Sequence, residues 1–323
     1  MLTRRRILLG GATTLGSATS LLTGCRRSRA KIIGVVPKAT SHLFFVSVHA
    51  GVDRAARDLH VEILWNGPDN ETDYTRQIEI VDAMVARQVD ALAISATEQH
   101  ALVGPLERAI RAGIPVTVFD SAVDIDNYVS FIATDNYGAG CTAARTLVNL
   151  IGGKGEVAMV MQKPGGTSTV LRERGFEETV AKEFPGVHIV ARQFGMADPA
   201  RSRAAAENIL TAHPDLAGLF ASSEAASIGS IQAARSRNVA GKMRLVTFDS
   251  SDTHIQALRD GTVDVMLVQN PFKLGYEAVK SLAEKLQGRT PPRRLDLPVQ
   301  AIVKSDLDKP EVRQLLSPPS ELR

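Results

Sequence analysis

The chain has 323 residues, more than one ordinary core encloses, so two domains are expected. Charged residues at 23% and hydrophobic residues at 44% exclude a disordered or membrane-embedded protein and fit a globular one. The formal net charge of +3 is carried by the N-terminus. Residues 1–30 hold six arginines and no acid, and the remainder has 32 basic against 35 acidic residues, which removes the global argument for a nucleic-acid-tracking surface.

Arg4-Arg5-Arg6 precedes the uncharged stretch 7–22, rich in Gly, Thr, Ser and Ala. That stretch is too short and too weakly apolar for a permanent membrane span. With its basic start and small-residue end it reads as an export signal. Residues 3–8 are similar to a twin-arginine signal, a general secretory signal with an extra arginine being the alternative. Leu22-Thr23-Gly24-Cys25 resembles the lipobox of bacterial lipoproteins, which implies that Cys25 is acylated and becomes the mature N-terminus. An ordinary signal with a coincidental cysteine is the other reading. Residues 1–24 are thus assigned to the signal and 25–30 to a tether. The other cysteine, Cys141, is expected as a small core residue of a helix without a disulfide partner.

From Lys31 onward short apolar runs alternate with amphipathic stretches. Strands are predicted at 32–36, 61–65, 91–95 and 116–119, with helices at 45–59, 74–87 and 102–112 between them. In the first helix Phe45, Val48, Val52, Ala55, Ala56 and Leu59 recur at helical spacing, so one face is core. After Thr134-Asp135-Asn136 the rhythm begins again. Strands near 156–161, 188–193, 218–221, 244–248 and 265–268 alternate with helices near 168–183, 199–213, 225–237 and 254–259, and a last helix runs from 272 to 286. Such alternation predicts an α/β fold of two doubly wound parallel-sheet lobes, each covered on both faces. Pro318-Pro319 marks a disordered end.

One internal echo stands out. Val116-Thr117-Val118-Phe119-Asp120-Ser121 matches Leu245-Val246-Thr247-Phe248-Asp249-Ser250. A carboxylate at the carboxyl end of a parallel strand points into the crevice where such sheets bind ligands. The plainer alternative is that each Asp caps the segment that follows. The motifs of several chemistries are absent: no Gly-x-Gly-x-x-Gly follows the first strand, and there is no phosphate loop, Cys-x-x-Cys, His-Glu-x-x-His or Gly-x-Ser-x-Gly. The seven histidines are scattered; His42 and His49 can share a helical face but lack a partner at ligand spacing. Neither a metal nor a cofactor is expected. What is present is a polar and aromatic set at predicted strand ends and loops: Ser41 to Phe45, Asp120-Ser121, Arg172 opening its helix, Ser222-Ser223-Glu224, Asp249 and Gln269-Asn270. Asp and Arg forks can each hold two neighbouring hydroxyls, and phenyl faces can stack on the C–H side of a sugar ring.

Phe44-Phe45-Val46-Ser47, Ile114-Pro115-Val116 through Asp120, Thr134-Asp135-Asn136, residues 172–176, residues 210–215 and Val246 through Asp249 together carry a specific resemblance. The chain resembles the periplasmic sugar-binding proteins of ABC importers, the ribose-binding type whose fold is shared with LacI-type regulator domains. The resemblance implies a type I periplasmic binding protein fold joined by a three-crossing hinge near Thr134, Gln269 and Leu297-Pro298. The first lobe would take 31–133 and 270–297, the second 134–269 and 298–310, with a tail at 311–323. It implies ligand contacts at His42, Phe44, Phe45, Asp120, Ser121, Arg172, Ser223, Asp249 and Gln269. His42 and Ser223 each replace an asparagine of the ribose pattern, Ser121 replaces an arginine, and an aromatic wall residue is missing around Met196-Ala197, which points to a different or bulkier polyhydroxylated ligand. The implied function is hinge-closing capture of a pentose, hexose or related polyol and delivery to an ABC permease, by a monomeric, non-enzymatic lipoprotein of the periplasm or cell surface. The alternatives are a sensor presenting bound sugar to a membrane receptor, a transcriptional regulator, for which no helix-turn-helix precedes the body, and a hydrolase using the paired aspartates.

Overall fold

The computed structural model describes residues 29–316; residues 1–24, expected as an export signal, Cys25 and the Pro318-Pro319 end lie outside the described residues. The first half runs β1 (Ile32–Val36), α1 (Leu43–Leu59), β2 (Glu62–Trp65), α2 (Tyr74–Ala86), β3 (Ala91–Ile94), α3 (Val103–Arg111), β4 (Val116–Phe119) and β5 (Phe131–Thr134). The second runs α4 (Asn136–Leu150), β6 (Gly155–Met161), α5 (Thr167–Glu183), β7 (Val187–Phe194), α6 (Pro199–Ala212), β8 (Gly218–Ala221), α7 (Glu224–Ser236), β9 (Arg244–Phe248), α8 (Asp252–Asp260) and β10 (Val265–Val268). The chain ends with α9 (Pro271–Leu286), β11 (Arg294–Leu297), β12 (Gln300–Ile302), a single 3-10 turn and α10 (Pro310–Leu316).

Two six-stranded sheets result, ordered β11-β5-β4-β3-β1-β2 and β12-β10-β9-β8-β6-β7. Every pairing in the first is parallel, and in the second β12 alone runs antiparallel to its neighbour. Each sheet is doubly wound, with strand order reversing beside its first strand, so each lobe offers a crevice at the carboxyl ends of its strands. The chain passes between the sheets after β5, after β10 and between β11 and β12. Strands β3, β4, β8 and β10 are buried along their whole length, as helices on both faces require. Two apolar clusters flank each sheet, one under α1 and α9 and one under α2 and α3 in the first lobe, one under α6 to α8 and one under α4 and α5 in the second.

Three strands and one helix differ from the sequence expectation. β5, β11 and β12 are only three or four residues long, and the edge strand β11 is mostly exposed and carries Arg294 and Asp296, so it has no apolar run to read. Residues 310–316, placed largely in a tail, form α10, because Val312 buries against the core of the second lobe. Cys141 is half-buried on α4 rather than a core residue.

The closest helix contacts repeat in both lobes. A Cβ at Gly51 of α1 would lie 1.9 Å from the Phe272 carbonyl oxygen of α9, and one at Gly275 of α9 would lie 2.2 Å from the Val48 carbonyl oxygen of α1. In the second lobe a Cβ at Gly140 of α4 would lie 1.9 Å from the Arg172 carbonyl oxygen of α5, and one at Gly175 of α5 would lie 2.2 Å from that of Tyr137. Each glycine thus meets the residue three before its counterpart, and the helices lie backbone to backbone. Gly140→Ala should therefore lower the denaturant midpoint. Overpacking costs about 1–3 kcal/mol, more than the propensity gain of about 1 kcal/mol. Gly104→Ala on α3, where the nearest atom is the Arg108 guanidinium at 3.5 Å, should leave the midpoint unchanged or raise it.

Candidate functional site

The carboxyl ends of both sheets face one cavity between the lobes. Lys38 follows β1, Asp120 follows β4, Gln162 follows β6, Ser223 follows β8, Asp249 follows β9 and Gln269 follows β10, and all six line it. The repeated Phe-Asp-Ser corners share one geometry: Asp120 has φ of 58° and Asp249 φ of 71°, both in the left-handed region. That conformation costs on the order of 1 kcal/mol for a non-glycine residue and collects at functional sites. Both aspartates are buried, and each turns its carboxylate into the cavity wall.

On the first-lobe side Asp120 Oδ2 accepts a hydrogen bond from Ser95 Oγ at 2.7 Å and lies 3.0 Å from the Lys38 ammonium. Lys38 Nζ is also 3.8 Å from a Glu71 carboxylate oxygen, whose other oxygen lies 3.3 Å from His42 Nδ1. Burial pulls the Lys38 ammonium down, but the charges of Asp120 and Glu71 outweigh it and hold the group above its ordinary value. Burial would raise Glu71, yet Lys38 and His42 keep its carboxyl well below the usual range. His42 is drawn up by Glu71 against its own burial. Phe44 and Phe45 stand edge to face with centroids 5.1 Å apart, and both line the cavity while Phe45 is also part of the first-lobe core.

On the second-lobe side Arg172 is 2% exposed. It lies in the second turn of α5 rather than at its opening, because Thr167 and Ser168 already belong to the helix. Its guanidinium donates to the Ser222 carbonyl and, at 2.8 Å, to Asn136 Oδ1, and it sits 3.3 Å above the Phe248 ring centroid. Its Nε has no partner among the described residues. The nearby acids of α5 take other partners: Glu173 accepts from the Gln162 N–H and Ser222 Oγ, and Glu178 from the Tyr137 hydroxyl. Asp249 accepts from Gln269 Nε2 at 2.7 Å and from the Glu224 N–H at 3.0 Å, while Gln269 Oε1 accepts from Thr134 Oγ1 at 2.5 Å. Burial raises the Asp249 carboxyl although Arg172 opposes it. Ser223 Oγ donates to Gln162 Oε1 and accepts the Ala226 N–H at the start of α7.

Direct bonds join the lobes around this cavity. Lys38 Nζ donates to Ser168 Oγ at 3.2 Å, Lys163 Nζ to the Thr97 carbonyl at 2.7 Å, and Ser121 Oγ meets Thr167 Oγ1 at 3.0 Å. Among the described residues no group of three or more His, Cys, Asp or Glu side chains could hold a metal ion. The arrangement can hold a neutral polar molecule by charged forks from both lobes and two phenyl faces.

Residues 33–290 match the family described as the periplasmic binding protein domain. The chain belongs to that family. A carbohydrate transporter solute-binding protein from Agrobacterium radiobacter, solved with D-arabinose, superposes with a TM-score of 0.87 at 28% identity over 90% of this chain and 100% of that one. One from Agrobacterium vitis, solved with α-D-tagatopyranose, gives 0.86 at 30% identity over 88% and 99%. A D-ribose/D-allose-binding protein of Pseudomonas aeruginosa is 29% identical over 82% of this chain and 85% of its own length.

The type I periplasmic binding protein architecture explains which residues were readable. Eight of the nine candidates, all but Ser121, line the cavity. Ser121 is fully buried and bonded to Thr167 and Ser168 of the other lobe, so it joins the lobes instead of walling the cavity. Lys38, Glu71, Gln162, Ser168 and Thr169 also line it and were not singled out, and Glu224, part of the strand-end set but not of the implied contacts, lines it too. Lys38 and Gln162 stand just past β1 and β6, where the strand-end rule applied to every strand would have found them. Glu71 lies deep in the β2–α2 loop, and nothing in its spacing marks it.

Burial pushes the Glu173 carboxyl, behind Arg172, up to about 7 from 4.5. A native group that keeps its proton longer than the unfolded chain contributes stability that falls as pH rises from about 4.5 to about 7. Glu173→Gln, which cannot ionise, should lose less melting temperature between about pH 5 and about pH 8 than the wild type. Equal losses in the two proteins would remove Glu173 as the source.

Proposed function

We propose that this chain is an exported solute-binding protein that captures a sugar, a pentose, hexose or related polyol, between its lobes and delivers it to an ABC permease. The observation that carries this reading is the composition of the cavity wall. Strand ends of both sheets supply Asp120 and Asp249, α5 supplies Arg172, and α1 supplies Phe44 and Phe45. Carboxylate and guanidinium forks bind vicinal hydroxyls, and a buried fork left unsatisfied penalises any ligand lacking one. The relatives bound to D-arabinose and α-D-tagatopyranose support the ligand class.

In this reading His42, Phe44, Phe45, Asp120, Arg172, Ser223, Asp249 and Gln269 contact the sugar, with Lys38 and Glu71 added. Ser121 stands where the ribose pattern has an arginine, but the Lys38 ammonium, 3.0 Å from Asp120, brings a cation to the Asp120 carboxylate from beyond β1, on the far side of β3. The ligand therefore meets a point-charge donor instead of a planar fork, which favours a sugar with a different hydroxyl arrangement from ribose. The lobes would divide at the three chain crossings as the sequence suggested and hinge there, a closure driven by the better binding of the closed state. Cys25 would carry the lipid that tethers the protein outside the cytoplasmic membrane, with ~0.8 kcal/mol contributed per buried CH₂.

The test is a thermal-shift and calorimetric panel of D-arabinose, D-tagatose, D-fucose, D-ribose, D-allose and polyols. A ligand at about a hundred times its Kd stabilises by about 2.7 kcal/mol. Asp249→Ala and Arg172→Ala should abolish the shift, whereas Arg174→Ala, on the exposed face of α5, should keep it. A panel without any shift would sink the sugar reading.

A further inference from the structure

Helix α1 carries the two phenyl rings of the cavity, and its N-terminus is held in an unusual way. A helix start leaves N–H groups without intrahelical partners. In α2, α4, α6, α7, α8 and α9 the side chain of the helix's own N-cap residue, Asp73, Asp135, Asp198, Ser223, Ser251 and Asn270 in turn, accepts one of them. His42 caps α1 with no side-chain bond. The His42 carbonyl takes the N–H groups of Phe45 and Val46, which leaves those of Leu43 and Phe44. Both are accepted by one carboxylate from the other lobe: Glu224 Oε1 at 3.2 Å from Leu43 N and Oε2 at 2.9 Å from Phe44 N.

Glu224 is the first residue of α7 and is itself fixed from behind, its N–H donating to Asp249 Oδ2 at 3.0 Å. A continuous path thus runs from Gln269 through Asp249 and Glu224 to the backbone of Phe44. A charged, two-oxygen acceptor at a helix N-terminus combines charge-assisted hydrogen bonds with a favourable helix dipole. It can do so here only when the lobes are together.

We propose that Glu224 is a cross-lobe cap of α1 that latches the closed cleft and positions the Phe44–Phe45 wall against the second lobe. The latch deepens the capture reading, since it makes closure itself complete the helix that presents the aromatic wall. Lys163 and Ser121 join the lobes elsewhere through uncharged acceptors, so they do not replace a carboxylate on α1. Removing Glu224 leaves both helices and the sheet contacts in place, and the loss falls on the closed state.

The test places spin labels at exposed Arg76 and Arg201, one on each lobe, in a chain whose native cysteines are replaced by serine. Inter-label distances are measured without sugar and with each sugar of the panel. Glu224→Ala should show a smaller closed fraction than the wild type, Glu224→Gln, which keeps one acceptor oxygen, should fall between them, and Arg174→Ala should match the wild type. Any sugar that binds the wild type should bind Glu224→Ala on the order of tenfold to a hundredfold more weakly, the range of a hydrogen bond to a charged group. Equal closed fractions in Glu224→Ala and the wild type overturn the latch, as does a wild type with no closed population in either arm. If the alanine variant does not fold, Glu224→Gln carries the same comparison. Should no sugar bind the wild type, the capture reading fails, and the sugar-free arm alone decides the latch.

Discussion

The structure depends on burying charge between two sheets. Lys38, Glu71, Asp120, Arg172 and Asp249 are each less than a tenth exposed, and each stands at a strand end, in an adjoining loop or on an adjoining helix. Removing one such group from water costs several kcal/mol unless its partners replace the solvent. Here the partners come from both lobes: Asp120 is met by Lys38, Lys38 by Ser168, and the Asp249 carboxylate accepts the N–H of the residue that caps α1. The lobes are therefore not two globules with a gap between them. Each supplies solvation that the other's charges need, and this couples the angle between lobes to the electrostatics of the cavity.

Backbone packing makes that coupling exact enough to be selective. The reciprocal glycine contacts hold α4 against α5 at the Arg172 carbonyl and α1 against α9 at the Phe272 carbonyl. The first contact sets where the Arg172 guanidinium can reach. The second ties the helix bearing Phe44 and Phe45 to the helix that follows Gln269 and Asn270. A side chain at either crossing would move a wall of the cavity by the thickness of a methyl group. Interiors this dense shift as units rather than deforming smoothly, so each wall keeps its shape as one piece.

Much of this was legible in the chain. The strand and helix alternation, the two-lobe division of the sheets and the paired Phe-Asp-Ser corners all follow from patterns with a physical cause: buried parallel strands are continuous apolar runs, and a carboxylate ending one faces the crevice. The corners held a stronger signal than the alternation, because positive φ at Asp120 and Asp249 is a conformation that their repeated sequence context shares. What could not be read were features set by tertiary partners. β5 is a strand because it pairs between β4 and the edge strand β11, and β11 because it pairs with β5, and neither shows a long apolar run. Glu71 looks like a solvated surface acid in sequence and becomes a site residue only when Lys38 and His42 are brought to it, and Glu224, legible as a strand-end residue, acquires its partners only when the first turn of α1 reaches it.

The same distinction bears on specificity. Asp120, Asp249 and Arg172 are fixed by strand ends and by a backbone-packed helix, so the part of the cavity they form is set by the fold. Lys38, Glu71 and His42 form an ion cluster on loops of the first lobe, where substitution changes donor type without moving a strand. A lysine delivered from beyond β1 places its positive charge on Asp120 without the planar pairing of two parallel donors that an arginine would bring. Charge balance in the buried cleft and the geometry of its donors are thus set by different features, the first by the sign of Lys38 and the second by the shape of its ammonium.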